Sequence, residues 1–271
     1  MRKQEIVPVV GDTLKPETLR EVVLACSVIV DAVGYGPGVP HSPKDFFDYV
    51  VKLKGNVNPN FKTLYIFTSG IMIYATGDRV DFPLDESFNP QPRDPLEMIP
   101  KKAIEDHILS STAVRPVVIR PGFVYGGHGG PIASLFFRLT PQAIQAPDMT
   151  VWGSLDKRWS WVHLDDLSDG YVRVAHAGSV VDGQVFNLAA QGDNPTFGEL
   201  KCLGARLAGW KGAPKDIKAV PVPESEGRVQ NWEWNVVINP KKAQELLGWA
   251  PKHLGVTCEM ELYYHSWKAF L

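Results

Sequence analysis

Residues 117–126 read V-V-I-R-P-G-F-V-Y-G, and the fold follows from how this stretch is built. Val117, Val118 and Ile119 form a β-branched apolar run without polar alternation. That pattern suits a strand covered on both faces of a parallel sheet. Pro121 and Gly122 break the strand, and Tyr125-Gly126 turns the backbone. In an open α/β sheet, ligands sit outside the carboxyl ends of the strands. A strand that stops at Arg-Pro-Gly therefore delivers a loop to that crevice.

Strand-like and helix-like patterns alternate on the N-terminal side of this stretch. Ile6 to Val10 is a β-branched run closed by Gly11-Asp12, and 16–25 carries Leu19, Val22 and Val23 at helical spacing. Residues 27–33 form a second apolar strand, ending in Gly34-Tyr35-Gly36-Pro37-Gly38. Phe46, Phe47, Val50, Val51 and Leu53 mark a helix stopped by Gly55. Residues 63–67 predict a third strand leading into Thr68-Ser69-Gly70, and 101–110 a helix. Repetition of strand, helix, strand means a Rossmann-like parallel sheet with helices on both faces. The C-terminal half is less regular. Short strands are expected at 151–152, 159–163 and 185–189, and Asp165 or Asp166 suits the cap of a helix through Tyr171 and Val174. Thr196 to Glu199 has capping-box spacing, Asn239-Pro240 opens a helix closed by Gly248, and 259–270 reads as a terminal helix. The expected organisation is an α/β core over 1–150 and a small α/β lobe over 151–271, interleaved with the core.

Composition narrows the function. A chain of 271 residues, 44% hydrophobic and 21% charged, fits a soluble globular protein with a sizeable core. A formal net charge of −2 gives no electrostatic footprint for nucleic acid or an anionic membrane. Cys26, Cys202 and Cys258 are far apart and lack C-x-x-C spacing, so they read as incidental thiols in a reducing compartment, and no metal site is expected. No apolar run reaches the roughly 18 residues that span a bilayer. The start, M-R-K-Q-E-I-V-P-V-V, lacks the form of a signal peptide, and a cytoplasmic location is expected.

Six motifs then follow one another: V-V-G-D (9–12), Y-I-F-T-S-G (65–70), I-R-P-G-F-V-Y-G (119–126), W-V-H-L-D-D-L (161–167), V-F-N-L-A-A (185–190) and N-P-K-K-A-Q-E-L-L-G-W-A-P (239–251). Each is weak alone. In this order they resemble the extended short-chain dehydrogenases of the NAD-dependent epimerase/dehydratase type. The resemblance implies a sheet that binds NAD or NADP, and a small-molecule substrate held between sheet and C-terminal lobe. The implied chemistry is oxidoreduction, epimerisation or dehydration of a sugar-like or small hydroxyl/carbonyl compound. By the same resemblance Asp12 lies near the adenine, with Val33 and Gly34 at the strand end bordering the cofactor. Pro121, Gly122, Phe123 and Tyr125 line the nicotinamide side, where Pro and Gly free the backbone to approach a flat ligand. For Asp12 a strand-ending turn residue is the competing reading. Arg228, 13 residues before Lys241, is similar to a family arginine that clamps substrate phosphate. Trp152, with Trp159, Trp161, Trp232 and Trp234, forms either a substrate wall or core packing. For His163, Asp165 and Asp166 capping and packing outweigh acid-base or metal chemistry.

The departures bear on activity. The family's Gly-x-x-Gly-x-x-Gly turn, which brings pyrophosphate to a helix N-terminus, has no counterpart in the sequence. Met1 aligns where the family's third strand begins, so the first two strands are expected to be missing. Residues 6–10 and 28–33 then either pair directly through a right-handed crossover or leave an apolar edge open. An open edge would suit a homodimer. The family's catalytic hydroxyl falls on Gly70, beside Thr68 and Ser69. Its tyrosine and lysine, four residues apart, fall on Glu97 and Lys101 in one register and on Met98 and Lys102 in the other. Neither register has a tyrosine, and Pro100 interrupts the backbone hydrogen bonding between the two positions. Lys101 suits a ribose, Ser69 or Thr68 a substrate, and Glu97 either a base or helix-surface charge. A non-catalytic nucleotide- or ligand-binding relative, or an inactive truncated product, is the alternative to an enzyme.

Overall fold

Strands drawn from residues 28 to 188 form a four-stranded sheet. In the computed structural model, which describes residues 6–34, 41–55, 61–74, 83–88, 98–127, 131–223 and 234–271 (without the side chains of 98–100, 131, 132 and 134), the sheet order is β1-β2-β3-β7. Here β1 is Val28–Asp31, β2 Leu64–Thr68, β3 Arg115–Pro121 and β7 Gln184–Leu188. β1 pairs in parallel with β2 (Val28 opposite Leu64), and β2 with β3 (Leu64 opposite Arg115). Val117, Val118 and Ile119 are fully buried, as their unbroken apolar run requires.

The chain divides into two compact units. The first contains 1–69, 99–119 and 175–185, the second 70–98, 120–174 and 186–271. The chain passes between the units repeatedly, because β3 and β7 begin in the first unit and run on into the second. In the first unit α1 (Arg20–Ala25), α2 (Pro43–Lys54) and α3 (Met98–Leu109) accompany the sheet. Val23, Phe46, Phe47, Val50, Tyr65, Phe67, Ile108 and Val118 make its core. Ser42 caps α2, its Oγ accepting from Asp45 N. Pro100 lies in the first turn of α3, where its missing N–H has no intrahelical partner to lose.

Residues 6–10 do not form the expected strand. They have no regular structure and are exposed, and among the described residues β1 has β2 as its sole sheet neighbour. Pro8 offers no N–H to a ladder. Of the two outcomes expected from the sequence, the apolar edge stays open, with Val28 and Val30 exposed on β1.

The second unit is built on aromatic packing. Two short parallel pairs, β4 (Phe123–Tyr125) with β6 (Trp161–His163) and β5 (Met149–Trp152) with β8 (Ile217–Val220), frame it. Helices α4 (Pro131–Phe137), α5 (Pro141–Gln145), α6 (Leu164–His176), α7 (Phe197–Leu207), α8 (Lys241–Leu247) and α9 (Val256–Lys268) follow in chain order. Phe137 packs edge-on against Tyr263 and Tyr264, tying α4 to α9. The Thr196–Glu199 capping box forms as its spacing predicts, and Gly248 ends α8 in the left-handed region at φ 58°. Among the described residues no helix is long and apolar enough to cross a membrane.

Candidate functional site

The residues singled out in the sequence fall on both units. Asp12, Val33, Gly34, Thr68, Ser69 and Lys101 belong to the first; Pro121, Gly122, Phe123, Tyr125 and Trp152 belong to the second. Glu97, Arg228 and Trp232 lie outside the described residues, as does the side chain of Met98.

In the first unit the carboxyl ends of β1 and β2 carry the polar groups. Asp31, the last residue of β1, is buried. Its carboxylate accepts from the Tyr65 hydroxyl at 2.9 Å and lies 3.2 Å from His41 Nε2, whose Nδ1 meets Thr13 Oγ1 at 3.0 Å. Burial, and next Asp31 itself, push the Tyr65 phenol well above its ordinary pKa. The network holds the loop after β1, and Gly34 beyond it opens onto free space, with nothing within 4 Å of where a Cβ would stand. Asp12 closes a turn, its Oδ1 accepting from Leu14 N at 2.9 Å, which is the geometry of the competing turn reading. At the end of β2, Ser69 N donates to Ile119 O at 2.8 Å, and Ser69 Oγ is buried with no hydrogen-bond partner among the described residues. A buried hydroxyl left unsatisfied costs about 1–3 kcal/mol, which a ligand donor or acceptor would recover. A ribose or carboxamide of a nicotinamide nucleotide fits that requirement at a strand terminus. Lys101 is half-buried in α3.

In the second unit the family-like motifs are joined by buried polar bonds. Arg120 of I-R-P-G donates to the Tyr74 hydroxyl at 2.6 Å, and that hydroxyl donates to Asn187 Oδ1, of V-F-N-L, at 3.0 Å. Asn187 N donates to Glu86 at 2.7 Å. Burial drives the Tyr74 phenol up to about 12 and raises Glu86. Gly122 is required by packing, since a Cβ there would stand 2.7 Å from Ser160 O. Phe123 packs edge-on to Trp159 at 4.8 Å.

The Tyr125 side chain is buried, and its hydroxyl donates to Glu259 Oε2 at 2.8 Å. Glu259 also lies 3.0 Å from His253 Nδ1, and the His253 ring stacks on His163 with centroids 3.4 Å apart and 15° between planes. Burial opposes the charge on Glu259, yet hydrogen bonds from Tyr125 and His253 hold its carboxyl below the usual value. Burial first, then His253, holds His163 below the ordinary imidazole pKa. His163, Asp165 and His253 bring ligating atoms within 4.8 Å of one another. Two nearly parallel imidazoles, however, aim their in-plane lone pairs side by side rather than at one point. His163 Nδ1 also accepts from Asp165 N at 3.1 Å. These contacts make the group a brace between β6 and the residues that precede α9. Asp166, buried beside it, accepts from Lys252 N and His253 N at 2.8 and 3.1 Å.

A cleft of about 410 Å³ opens between α4, α5, β5 and α7, lined by Leu135, Leu139, Val151, Trp152, Phe197 and Lys201 among others. Trp152, named from the sequence, stands half-exposed on its wall, whereas Trp159 and Trp161 are core. Lys201 was not singled out by motif. The available signal was periodic: Phe197, Lys201 and Ala205 share the buried face of α7, so a lysine occupies an apolar stripe. Tyr74, Glu259 and His253 carried no local signal at all.

The profile of the NAD dependent epimerase/dehydratase family matches residues 2–189. No curated protein sequence matches the chain. Among solved structures, dTDP-glucose 4,6-dehydratase from Bacillus anthracis, in complex with NAD, superposes with a TM-score of 0.75 at 18% identity, over 96% of this chain and 78% of that one. UDP-glucose 4-epimerase from Thermotoga maritima, with UDP-glucose, gives 0.71 at 17% identity, over 96% and 83%. RMD from Pseudomonas aeruginosa, complexed with NADPH, gives 0.69 at 19%, over 98% and 90%. At these identities the likeness is one of fold.

Proposed function

Because the chain belongs to the NAD dependent epimerase/dehydratase family, we propose that it binds NAD or NADP and acts as an oxidoreductase or epimerase on a sugar-like or small hydroxyl/carbonyl compound. The observation that carries this reading is Ser69 Oγ, buried and without a partner among the described residues, just beyond the carboxyl end of β2. The bound nucleotide would accept or donate hydride at its nicotinamide. Ser69 and Thr68 would hold the ribose or the substrate hydroxyl, Lys101 the ribose, and Val33 and Gly34 would border the nucleotide. The NAD and NADPH bound in the solved structures of similar fold support a nucleotide of this class.

Gly70, where the family places a hydroxyl, and the lack of a tyrosine in either register favour a second reading, a nucleotide-binding relative without turnover. Titration of the full chain with NADH and NADPH, followed by nicotinamide fluorescence, tests the first step. One nucleotide should bind, and Ser69→Ala should weaken it about five- to tenfold, the worth of one hydrogen bond. Absence of binding to both nucleotides overturns the proposal. Binding without oxidation of the reduced nucleotide by any of a panel of aldehydes, ketones and keto sugars selects the second reading.

A further inference from the structure

Lys201 is buried in the second unit, its Nζ donating to Leu135 O at 2.6 Å. Among the described residues no carboxylate pairs with it, and burial alone lowers its pKa to about 8. A buried cation without a counter-ion is expensive to keep: it gives up its proton more readily, or an anion from outside supplies the missing charge. Lys201 also lines the cleft beneath Trp152, whose walls are otherwise mostly aliphatic and aromatic: Leu135, Leu139, Val151 and Phe197. Its volume of about 410 Å³ lies within the range of small-molecule sites, about 300–1,000 Å³. Lys157 lines the cleft as well, its ammonium over the Phe197 and Trp159 rings at 4.4 and 5.6 Å, so Lys201 is the lysine left to meet an anion, and the apolar walls around it favour a ligand whose body is apolar and whose charge sits at one end.

We propose that this cleft binds an amphipathic organic monoacid, with its carboxylate on Lys201 Nζ and an aromatic or alicyclic body against Trp152, Val151 and Leu139. A carboxylate matches the Lys201 ammonium and would take up hydrogen-bonding capacity that the Leu135 carbonyl leaves unused, since an ammonium has three donors. A flat body would use the exposed face of Trp152. The proposal does not rest on the nucleotide reading, because the cleft lies wholly in the second unit and its test contains no nucleotide.

The test is calorimetric titration of the full chain with 1-naphthoate and with its neutral counterpart, 1-naphthylmethanol, at pH 7. Naphthoate should bind one to one and at least tenfold tighter than the alcohol. Lys201→Met should weaken naphthoate tenfold or more while leaving the alcohol unchanged or tighter. Trp152→Ala should weaken both. Lys201→Met removes a buried charge, so its melting temperature should not fall, which separates loss of binding from loss of folding. Equal affinity for acid and alcohol, no binding of naphthoate, or an unchanged naphthoate affinity in Lys201→Met would each overturn the proposal. Displacement of naphthoate by millimolar inorganic phosphate would overturn the assignment to a carboxylate.

Discussion

Single side chains in the second unit set measurable pH behaviour. Lys201 titrates near 8 in the folded chain, below its ordinary 10.5, so between those values the unfolded chain holds more protons. Stability therefore rises as pH climbs from about 8 toward 10.5, and the full penalty applies below 8. Lys201→Met is expected to be more stable than the wild type at pH 7 by about 2–3 kcal/mol, with the gap closing by pH 10.5 in denaturant melts. His163 and Glu259 act on the acid side. Both have folded pKa values below their ordinary 6.5 and 4.5, so the unfolded chain takes up the extra protons as pH falls through those values. Thermal melts should show stability declining first below pH 6.5, and His163→Gln should flatten that first decline. Gly126 completes the residue scale. At φ 92° it lies where side chains are strained, and a Cβ would stand 2.2 Å from His163 Nε2. Gly126→Ala should cost at least about 2 kcal/mol and lower the melting temperature by roughly 5 °C or more.

At the scale of elements, much was legible in advance because caps and strand runs are local statements. The Thr196 hydroxyl accepts from Glu199 N at 3.1 Å and Glu199 returns to Thr196 N at 2.7 Å, the reciprocal pair their spacing predicts. Thr196→Ala should destabilise α7 by about 1 kcal/mol, lowering the melting temperature by roughly 2–4 °C, and Thr196→Ser should keep most of it. Residues 117–119 announced a doubly covered strand by composition alone, and they are one. Residues 6–10 carried the same composition and failed. Propensity cannot make a strand without a neighbour to bond, and Pro8 weakens the offer further. Pro100 erred the other way: it looked like a breaker, yet α3 starts at Met98, so the lost N–H falls in the unpaired first turn.

For the molecule as a whole, the open edge of β1 is the feature with a consequence in solution. Val28 and Val30 stand exposed on a strand whose outer edge has no hydrogen-bonding partner among the described residues, an arrangement that templates pairing with another chain. Self-association of the full chain should be visible by sedimentation velocity, and Val30→Lys should weaken it at least about fivefold by placing a charge on the edge. An equally monomeric wild type would remove the edge as a dimer surface.

The alternation of strands and helices, the buried run 117–119, the capping box and the motifs of the epimerase/dehydratase family could all be read from residue order. Each depends on neighbours a few positions away, and periodicity carries such information. Residue order could not tell which tryptophan of five would stand on a cleft wall and which would fill the core. Nor could it show that Tyr125 gives its hydroxyl to Glu259, 134 residues later, or that Arg120 and Asn187 meet on Tyr74. It did not show that Lys201 is left without a counter-ion. A hydrogen bond or an unpaired charge is a property of whatever packing brings alongside, and distant partners leave no period in the chain.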